Sequence, residues 1–214
     1  MLLFEKKTKN YSQKKRRLRS FLKAQSPFLL SIISNYRAQL IERALLEISR
    51  GEITLNESIF LGDLIRNLRS SGPIIEIGTL FGRSTLIIIE NKDPEQKLIT
   101  VDNYSWNPLG LASDIHFKIT NNLLSEAITN FNLNILRLDK NEFYSVYKGN
   151  SPSLVFLDAI HSYEETKKDL LWAKRVGAHK ICGHDYDEKR HPAVVKVVRE
   201  FGGPRKLSGS IWVL

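Results

Sequence analysis

The chain has 214 residues, of which 42% are hydrophobic and 26% are charged, enough for one globular domain with a small appendage. The single cysteine, Cys182, excludes an internal disulfide, and no apolar run reaches the roughly 20 residues of a membrane helix. The net charge of +9 comes mainly from residues 1–23, which hold nine basic side chains and one acidic one, whereas the other 191 residues hold 23 and 22. We therefore expect a cytoplasmic protein with a neutral body and a basic, solvated tail at residues 1–25.

Two helices are predicted between this tail and residue 71. Ser26-Pro27 is typical of a helix start, because Ser caps the first turn and Pro has no N–H to leave unpaired there. Apolar residues at three- and four-residue spacing continue to Arg50, and a second such stripe predicts a helix over Glu57–Ser70. An apolar stripe of this kind suits either covering a cleft or forming a homo-oligomer, and the sequence leaves both open.

From residue 72 to residue 214, short apolar runs alternate with helical patterns. Strands that are apolar throughout and separated by helices predict an α/β fold, with a doubly wound, mostly parallel sheet covered on both faces. The predicted strands are Ile74–Ile77, Leu98–Val101, Asn134–Leu138, Leu154–Leu157, Lys180–Cys182 and Ser210–Leu214. The predicted helices are Ser84–Glu90, Asp114–Asn130, Glu142–Tyr147, Tyr163–Val176 and Pro192–Phe201.

An acid and two glycines follow one another where the first of these strands turns into its helix. Glu76, Gly78 and Gly82 have the spacing Glu-x-Gly-x-x-x-Gly, which lacks the third glycine of a dinucleotide-binding fingerprint. Asp102 ends the next strand, where a carboxylate can accept hydrogen bonds from ribose hydroxyls. Together these residues favour an adenosyl ligand without a pyrophosphate, whereas each alone is equally typical of a turn or a helix cap.

Three further titratable residues follow the strands at 154–157 and 180–182. Asp158 and Asp185 lie at the two strand ends, and the tips of neighbouring strands are about 5 Å apart. Two carboxylates that close need a proton or a cation between them, and Mg²⁺ prefers such oxygen ligands. His161 follows in the loop and could accept a proton from a substrate hydroxyl. The alternative from the residues alone is two helix caps and an exposed loop histidine.

With the acid–glycine loop, the chain resembles the class I S-adenosylmethionine-dependent methyltransferases. The resemblance covers about Gly72 to Phe201 and implies a seven-stranded Rossmann-like sheet preceded by N-terminal helices. In that family the loop holds the methionine part of the cofactor, and the acid after the second strand holds the ribose. The cofactor-binding residues that the resemblance implies are Glu76, Gly78, Gly82, Ser84 for the carboxylate, Asp102 for the ribose and Asp139 near the adenine.

The motifs Asp-x-x-His-Ser-Tyr and Gly-His-Asp-Tyr resemble the small-molecule O-methyltransferases that include macrolide-sugar enzymes. This resemblance implies Mg²⁺ ligands at Asp158 and Asp185 and a catalytic base at His161. His184 stands where the family usually has an acid, and imidazole prefers transition metals to Mg²⁺. Three outcomes stay open for Asp158, His184 and Asp185: a site with two protein ligands, a site for another divalent ion, or no metal.

The expected reaction is in-line methyl transfer to a small hydroxylated acceptor such as a sugar or another natural product. Residues 104–117, with Trp106, are predicted to form part of the acceptor wall, opposite residues 186–191. His179 and His191 are predicted to face solvent, and His116 is predicted to lie on a helix surface.

Three other functions compete with this one. A nucleic-acid methyltransferase would use the basic tail to bind phosphates, although the body has no net charge to help and the Asn/Asp-Pro-Pro-Tyr type of motif is missing. A non-catalytic protein could keep the fold without binding the cofactor. A nicotinamide-dependent dehydrogenase fits least, because the pyrophosphate loop is wrong.

Overall fold

The computed structural model describes residues 53–214, so the predicted tail and the helix over residues 26–50 lie outside the described residues. The described part is built on a seven-stranded sheet in the order β3-β2-β1-β4-β5-β7-β6, parallel except for β7, which pairs antiparallel with both β5 and β6. The strands are β1 (Ile74–Ile77), β2 (Leu98–Asp102), β3 (Leu133–Arg137), β4 (Leu154–Leu157), β5 (Ile181–Gly183), β6 (Lys206–Ser208) and β7 (Ile211–Val213).

Seven helices lie within residues 53–214, and each is too short or too polar to span a lipid bilayer. Several begin with a side-chain cap, such as Ser162 at the start of α6 and Asp139 at the start of α5. The helices are α1 (Leu55–Arg66), α2 (Arg83–Asn91), α3 (Ser113–Leu123), α4 (Ser125–Asn130), α5 (Lys140–Val146), α6 (Tyr163–Arg175) and α7 (Pro192–Glu200).

The sheet separates two apolar cores, because successive side chains of a strand point to opposite faces. Ile75 and Ile77 of β1 pack in the core that includes side chains of α5, α6 and α7. Ile74 packs in the other core with side chains of α1, α2 and α4. Glu76 lies between these isoleucines in β1 and is fully buried, so a charged residue type stands at the centre of the sheet.

The predicted α/β architecture with a doubly wound, mostly parallel sheet is confirmed, and most element boundaries agree within two residues. Two elements differ from the prediction. The predicted helix over Asp114–Asn130 is divided at Leu124 into α3 and α4. The strand β6 was not predicted, because it has three residues, two of them exposed, and its pattern is too short to detect.

Candidate active site

The carboxyl ends of β1, β2, β4 and β5 form one edge of the sheet, and all of the candidate residues except Asp139 lie in or follow these four strands. The chain runs outward from β1 to β3 and then crosses back to β4, so the order switches between β1 and β4, where open α/β sheets bind ligands. Left-handed backbone at non-glycine residues is uncommon. Three of the four described cases, Leu80, Tyr104 and Asp185, lie at this edge.

Asp102 is held against the loop that contains Gly78. Its Oδ2 accepts hydrogen bonds from the backbone N–H groups of Thr79 and Leu80, both at 2.9 Å, and its Oδ1 accepts one from Tyr104 at 2.7 Å. Because three backbone donors fix the carboxylate, Asp102 points toward the glycine loop and orients it without help from a ligand.

The glycines of this loop are required by the fold itself. Gly78 has φ of +99°, and a Cβ there would lie 1.8 Å from the carbonyl oxygen of Asp158. Gly82 has φ of +88° and begins α2, and its Cβ would meet the side chain of Leu124 at 2.8 Å. The two glycines therefore stand where the carboxyl ends of β1 and β4 and the start of α4 pack closely.

His116 is buried, and the prediction that it lies on a helix surface is wrong. Its Nε2 is 3.0 Å from the carbonyl oxygen of Leu80, which also accepts a hydrogen bond from Thr120 at 2.8 Å. The ring packs against Phe81 and Tyr104. His116 therefore anchors the strained Leu80 to α3. Tyr104 is buried behind His116, whereas Trp106 is 67% exposed and faces outward.

Glu76 lies beneath the loop. Its Oε2 accepts a hydrogen bond from Thr85 at 2.6 Å, and among the described residues Oε1 has no partner. Burial raises the pKa of Glu76 to about 7, against the lowering effect of the Ser84, Thr85 and Thr100 hydroxyls. Ser84 itself is buried in the first turn of α2.

Asp139 lies at the next strand end. Leu138, which precedes it, donates its backbone N–H to the carbonyl oxygen of Asp102. The Asp139 carboxylate caps α5 by accepting from Asn141 at 2.8 Å and is otherwise exposed. The cap explains the residue without a ligand, and the assignment of Asp139 to the adenine stays a prediction.

Asp158, His161, His184 and Asp185 come together on the other side of the switch point. His161 Nε2 is 2.9 Å from Asp185 Oδ2 and 3.7 Å from Asp158 Oδ1. His184 Nδ1 is 3.5 Å from Asp185 Oδ1 and 3.9 Å from Asp158 Oδ2. The structure therefore brings all four predicted residues into one cluster, with an imidazole nitrogen near each carboxylate.

Asp185 is the most enclosed acid of this cluster. It is 1% exposed, has φ of +61°, and neither of its carboxylate oxygens has a partner in hydrogen-bond geometry among the described residues. Its backbone is fixed nevertheless, because the carbonyl oxygen accepts from the N–H of Asp187 and the next residue, Tyr186, donates to Ser210. A buried charge of this kind requires nearby positive charge.

His184 has one ring nitrogen fixed by a chain that begins at α1. Glu57 Oε1 accepts hydrogen bonds from the backbone N–H and the hydroxyl of Ser210, at 2.6 and 2.8 Å. Since the Ser210 hydroxyl donates to Glu57, it accepts from His184 Nε2, which is 2.8 Å away. His184 Nε2 therefore carries a proton, and Nδ1 faces Asp158 and Asp185.

The carboxylates control the charge of the two imidazoles. Burial lowers the pKa of His161, but the nearby carboxylates of Asp158 and Asp185 outweigh it and raise that pKa to about 10. The same opposition, with Glu57 added, raises the pKa of His184 to about 9. Burial raises the pKa of Asp185, and the two imidazoles more than reverse this, so that it stays well below its ordinary value. Without another cation, both imidazoles are protonated at neutral pH.

His191 also belongs to this cluster, and the prediction that it faces solvent is wrong. Its Nε2 is 3.4 Å from Asp185 Oδ1, and its ring lies 4.5 Å from the ring of His161. His179, by contrast, is exposed as predicted. His191 was missed because its approach depends on the path of the loop between β5 and α7.

Neither family models nor curated proteins match the amino-acid sequence. Solved structures do match. The O-methyltransferase from Bacillus cereus in complex with SAH is 18% identical with a TM-score of 0.53, and the match covers 87% of each chain. TomG, the O-methyltransferase from Streptomyces achromogenes involved in tomaymycin synthesis and solved with SAM, is 19% identical with a TM-score of 0.53, over 84% of this chain and 82% of TomG. The chain has the class I methyltransferase fold.

The same fold is found in a sugar-modifying enzyme. CalS11, a TDP-rhamnose 3′-O-methyltransferase of calicheamicin biosynthesis, is 12% identical with a TM-score of 0.54, over 85% of this chain and 95% of CalS11. At these identities the match establishes the methyltransferase fold, and the chemistry has to be argued from the residues.

Proposed function

We propose that this protein is an S-adenosylmethionine-dependent methyltransferase that methylates a hydroxyl group of a small acceptor, such as a sugar or another natural product. One observation carries the proposal. On the class I methyltransferase fold, an aspartate fixed against a glycine loop and a cluster of carboxylates and imidazoles lie on the two sides of one switch point.

The cofactor is assigned to the side of β1 and β2. Asp102 has one carboxylate oxygen with a single backbone donor, which leaves a lone pair for a ribose hydroxyl. Glu76 has a buried oxygen without a partner, which suits an ammonium group or a hydrogen-bond donor of the cofactor. Gly78, Gly82 and Ser84 complete the loop, and Asp139 lies beside Asp102 at the adenine end. The cofactor supplies a methyl group on a sulfonium, which is a good leaving group.

The acceptor is assigned to the side of β4 and β5. Asp158, His184 and Asp185 each offer one ligand atom, and these three atoms lie within 4.8 Å of one another. We call them the oxygen-rich triad. The carboxylates of Asp158 and Asp185 fit a divalent cation such as Mg²⁺, which would lower the pKa of an acceptor hydroxyl.

His161 is assigned the role of accepting the proton of the acceptor hydroxyl. In the transfer, the acceptor oxygen forms a bond to the methyl carbon, the carbon–sulfur bond breaks, and the proton passes to the ring nitrogen of His161 on the side away from Asp185. The His161 side chain is one-third exposed although its Nε2 is buried, so an acceptor can approach the other side of the ring. Because Asp158 and Asp185 keep it protonated, positive charge near these carboxylates is needed before the imidazole can accept a proton.

The decisive experiment compares cofactor binding with turnover. Calorimetry with S-adenosylmethionine should detect binding by the intact chain, and Asp158→Ala should bind equally well. A panel of sugars and phenols, with and without Mg²⁺, should reveal methylation that Asp158→Ala reduces by about 100-fold or more. The matched control is Asp93→Ala, an exposed aspartate in the loop before β2, at the opposite end of the sheet.

Each contrary outcome points to a different function. Absence of cofactor binding would make this a non-catalytic protein with the same fold. Methylation of RNA but of none of the small acceptors would favour the nucleic-acid enzyme. Unchanged turnover in Asp158→Ala would remove this residue from the mechanism.

A further inference from the structure

A second group of ligand atoms lies beside the oxygen-rich triad. His161, Asp185 and His191, which we call the histidine triad, each offer one ligand atom, and these also lie within 4.8 Å of one another. The group differs in chemistry from the oxygen-rich triad, because two of its three donors are imidazole nitrogens. It shares only Asp185 with that triad.

The spacing of the histidine triad matches that of ligands around one metal ion. Nitrogen and oxygen ligands lie about 2.0–2.2 Å from a zinc-like ion, so neighbouring ligand atoms are about 2.8 to 3.6 Å apart for angles at the ion between about 90° and 109°. His161 Nε2 and His191 Nε2 lie 2.9 and 3.4 Å from the nearest carboxylate oxygens of Asp185. The two nitrogens approach different oxygens of Asp185, and the three ligand atoms lie within 4.8 Å of one another.

The orientation of the donors supports the same conclusion. Both oxygens of Asp185 and the Nε2 of His161 are buried and, among residues 53–214, make no contact with hydrogen-bond geometry, although two of these atoms are only 2.9 Å apart. Ligands of one ion point at the ion and not at each other. A cation beside this pair explains both the short distance and the missing hydrogen bond.

The loop that carries His191 is rigidly built. Asp187 accepts hydrogen bonds from the backbone N–H groups of Lys189 and Arg190, at 2.8 and 3.1 Å, and the backbone N–H of His191 donates to its carbonyl oxygen at 2.8 Å. Pro192 then begins α7. This loop holds the imidazole of His191 near Asp185 before any ion binds, which lowers the cost of binding.

We propose that His161, Asp185 and His191 bind a transition-metal ion of the Zn²⁺ or Co²⁺ type. Two imidazoles and one carboxylate with positions left open select such ions over Mg²⁺. If the proposed function holds, an ion bound at Nε2 of His161 leaves the ring proton on Nδ1. The imidazole then cannot accept the proton of the acceptor hydroxyl, and the ion inhibits methyl transfer.

The test uses Co²⁺ as the probe on the full chain after treatment with a chelator. The visible absorption of Co²⁺ should report one bound ion that Zn²⁺ displaces and a 100-fold excess of Mg²⁺ does not. His191→Ala and His191→Gln should each weaken Co²⁺ binding by about tenfold or more. His179→Ala is the matched control, because this exposed histidine lies away from the cluster and should leave the titration unchanged.

Two results would overturn the proposal. One is Co²⁺ binding by folded His191→Ala or His191→Gln with the affinity of the intact chain, and the other is displacement of Co²⁺ by Mg²⁺. Circular dichroism shows whether each of the two variants is folded, and the Co²⁺ affinity is compared for the folded variant. The Co²⁺ titration needs neither cofactor nor acceptor. A negative titration therefore contradicts the metal site at the histidine triad and leaves the proposed methyl transfer unaffected. In an active enzyme, Zn²⁺ should inhibit the intact chain and inhibit His191→Ala about tenfold less.

Discussion

Asp102 and Asp185 both follow a parallel strand of the same sheet, yet their carboxylates are stabilised by different groups. Three backbone N–H groups hold Asp102. The carboxylate of Asp185 has no hydrogen-bond partner within the described part of the chain. Its charge is balanced by the nearby imidazoles of His161, His184 and His191. The main chain keeps its hydrogen-bonding capacity at any pH, whereas imidazoles change charge with pH and bind metals. The side proposed for the cofactor is therefore preorganised, and the side proposed for the acceptor is expected to respond to cations.

The largest expected effect is at the contact between these two regions. Gly78→Ala places a Cβ 1.8 Å from the carbonyl oxygen of Asp158 at φ of +99°, so the ends of β1 and β4 must separate. We expect a loss of about 3–5 kcal/mol in the free energy of unfolding, measured by urea denaturation. Gly110→Ala is the control, since its φ is +64° but no atom lies within 4 Å of the added Cβ, and it should cost about 1 kcal/mol. Equal costs for both variants would show that the close approach is unimportant.

The next effect is a pH dependence of stability that comes from Glu76, on the side proposed for the cofactor. Burial raises the pKa of Glu76 from 4.5 to about 7. The folded protein therefore binds one more proton than the unfolded chain between these values, and stability falls as pH rises through this range. Glu76→Gln lacks this penalty, so its stability relative to the intact chain should increase by about 3 kcal/mol between pH 4.5 and pH 8. Chemical denaturation at both pH values measures the difference, and a constant difference would contradict a buried, protonated Glu76.

A smaller effect separates the two sides. Asp102→Ala leaves the backbone N–H groups of Thr79, Leu80 and Tyr104 without their acceptor, so we expect a loss of about 2 kcal/mol in stability and weaker S-adenosylmethionine binding in calorimetry. Co²⁺ binding should not change, because Asp102 belongs to neither metal triad. A parallel loss of Co²⁺ affinity would mean that the two regions are not independent.

The smallest effect is on the acceptor side and acts through α1. Glu57→Gln removes the negative charge behind Ser210 and His184, so His184 is held less firmly with Nδ1 toward Asp158. We expect about tenfold weaker Mn²⁺ binding, followed by electron paramagnetic resonance. Glu95→Gln, at an exposed position, is the control. If both variants bind Mn²⁺ as the intact chain does, Glu57 serves only as a helix cap.

The sequence predicted the sheet, because strands such as Ile74–Ile77 and Leu154–Leu157 are short, mostly apolar runs followed by glycine or an acid. It also placed Asp158 and Asp185 correctly beside each other, since the ends of neighbouring parallel strands meet. Periodicity could not show the path of a loop, so His191 was assigned to solvent. It could not show which face of α3 packs on the glycine loop either, so His116 was assigned to the surface.

The contact of Glu57 with Ser210 illustrates the limit of such reasoning. Thr54 and Glu57 form the capping box of α1, as their spacing alone suggests. The same carboxylate also reaches Ser210, 153 positions later in the chain. Nothing in local spacing reports a contact over that separation, because it arises only when β7 lies against β5.

One carboxylate thus stabilises a helix and orients an imidazole of the candidate metal site. A shortened chain that began at β1 would keep every strand and both metal triads, yet it would lose the anion that fixes the tautomer of His184. The smallest fragment that retains the sheet and the smallest fragment that retains a correctly oriented His184 are therefore different, and the second must include α1.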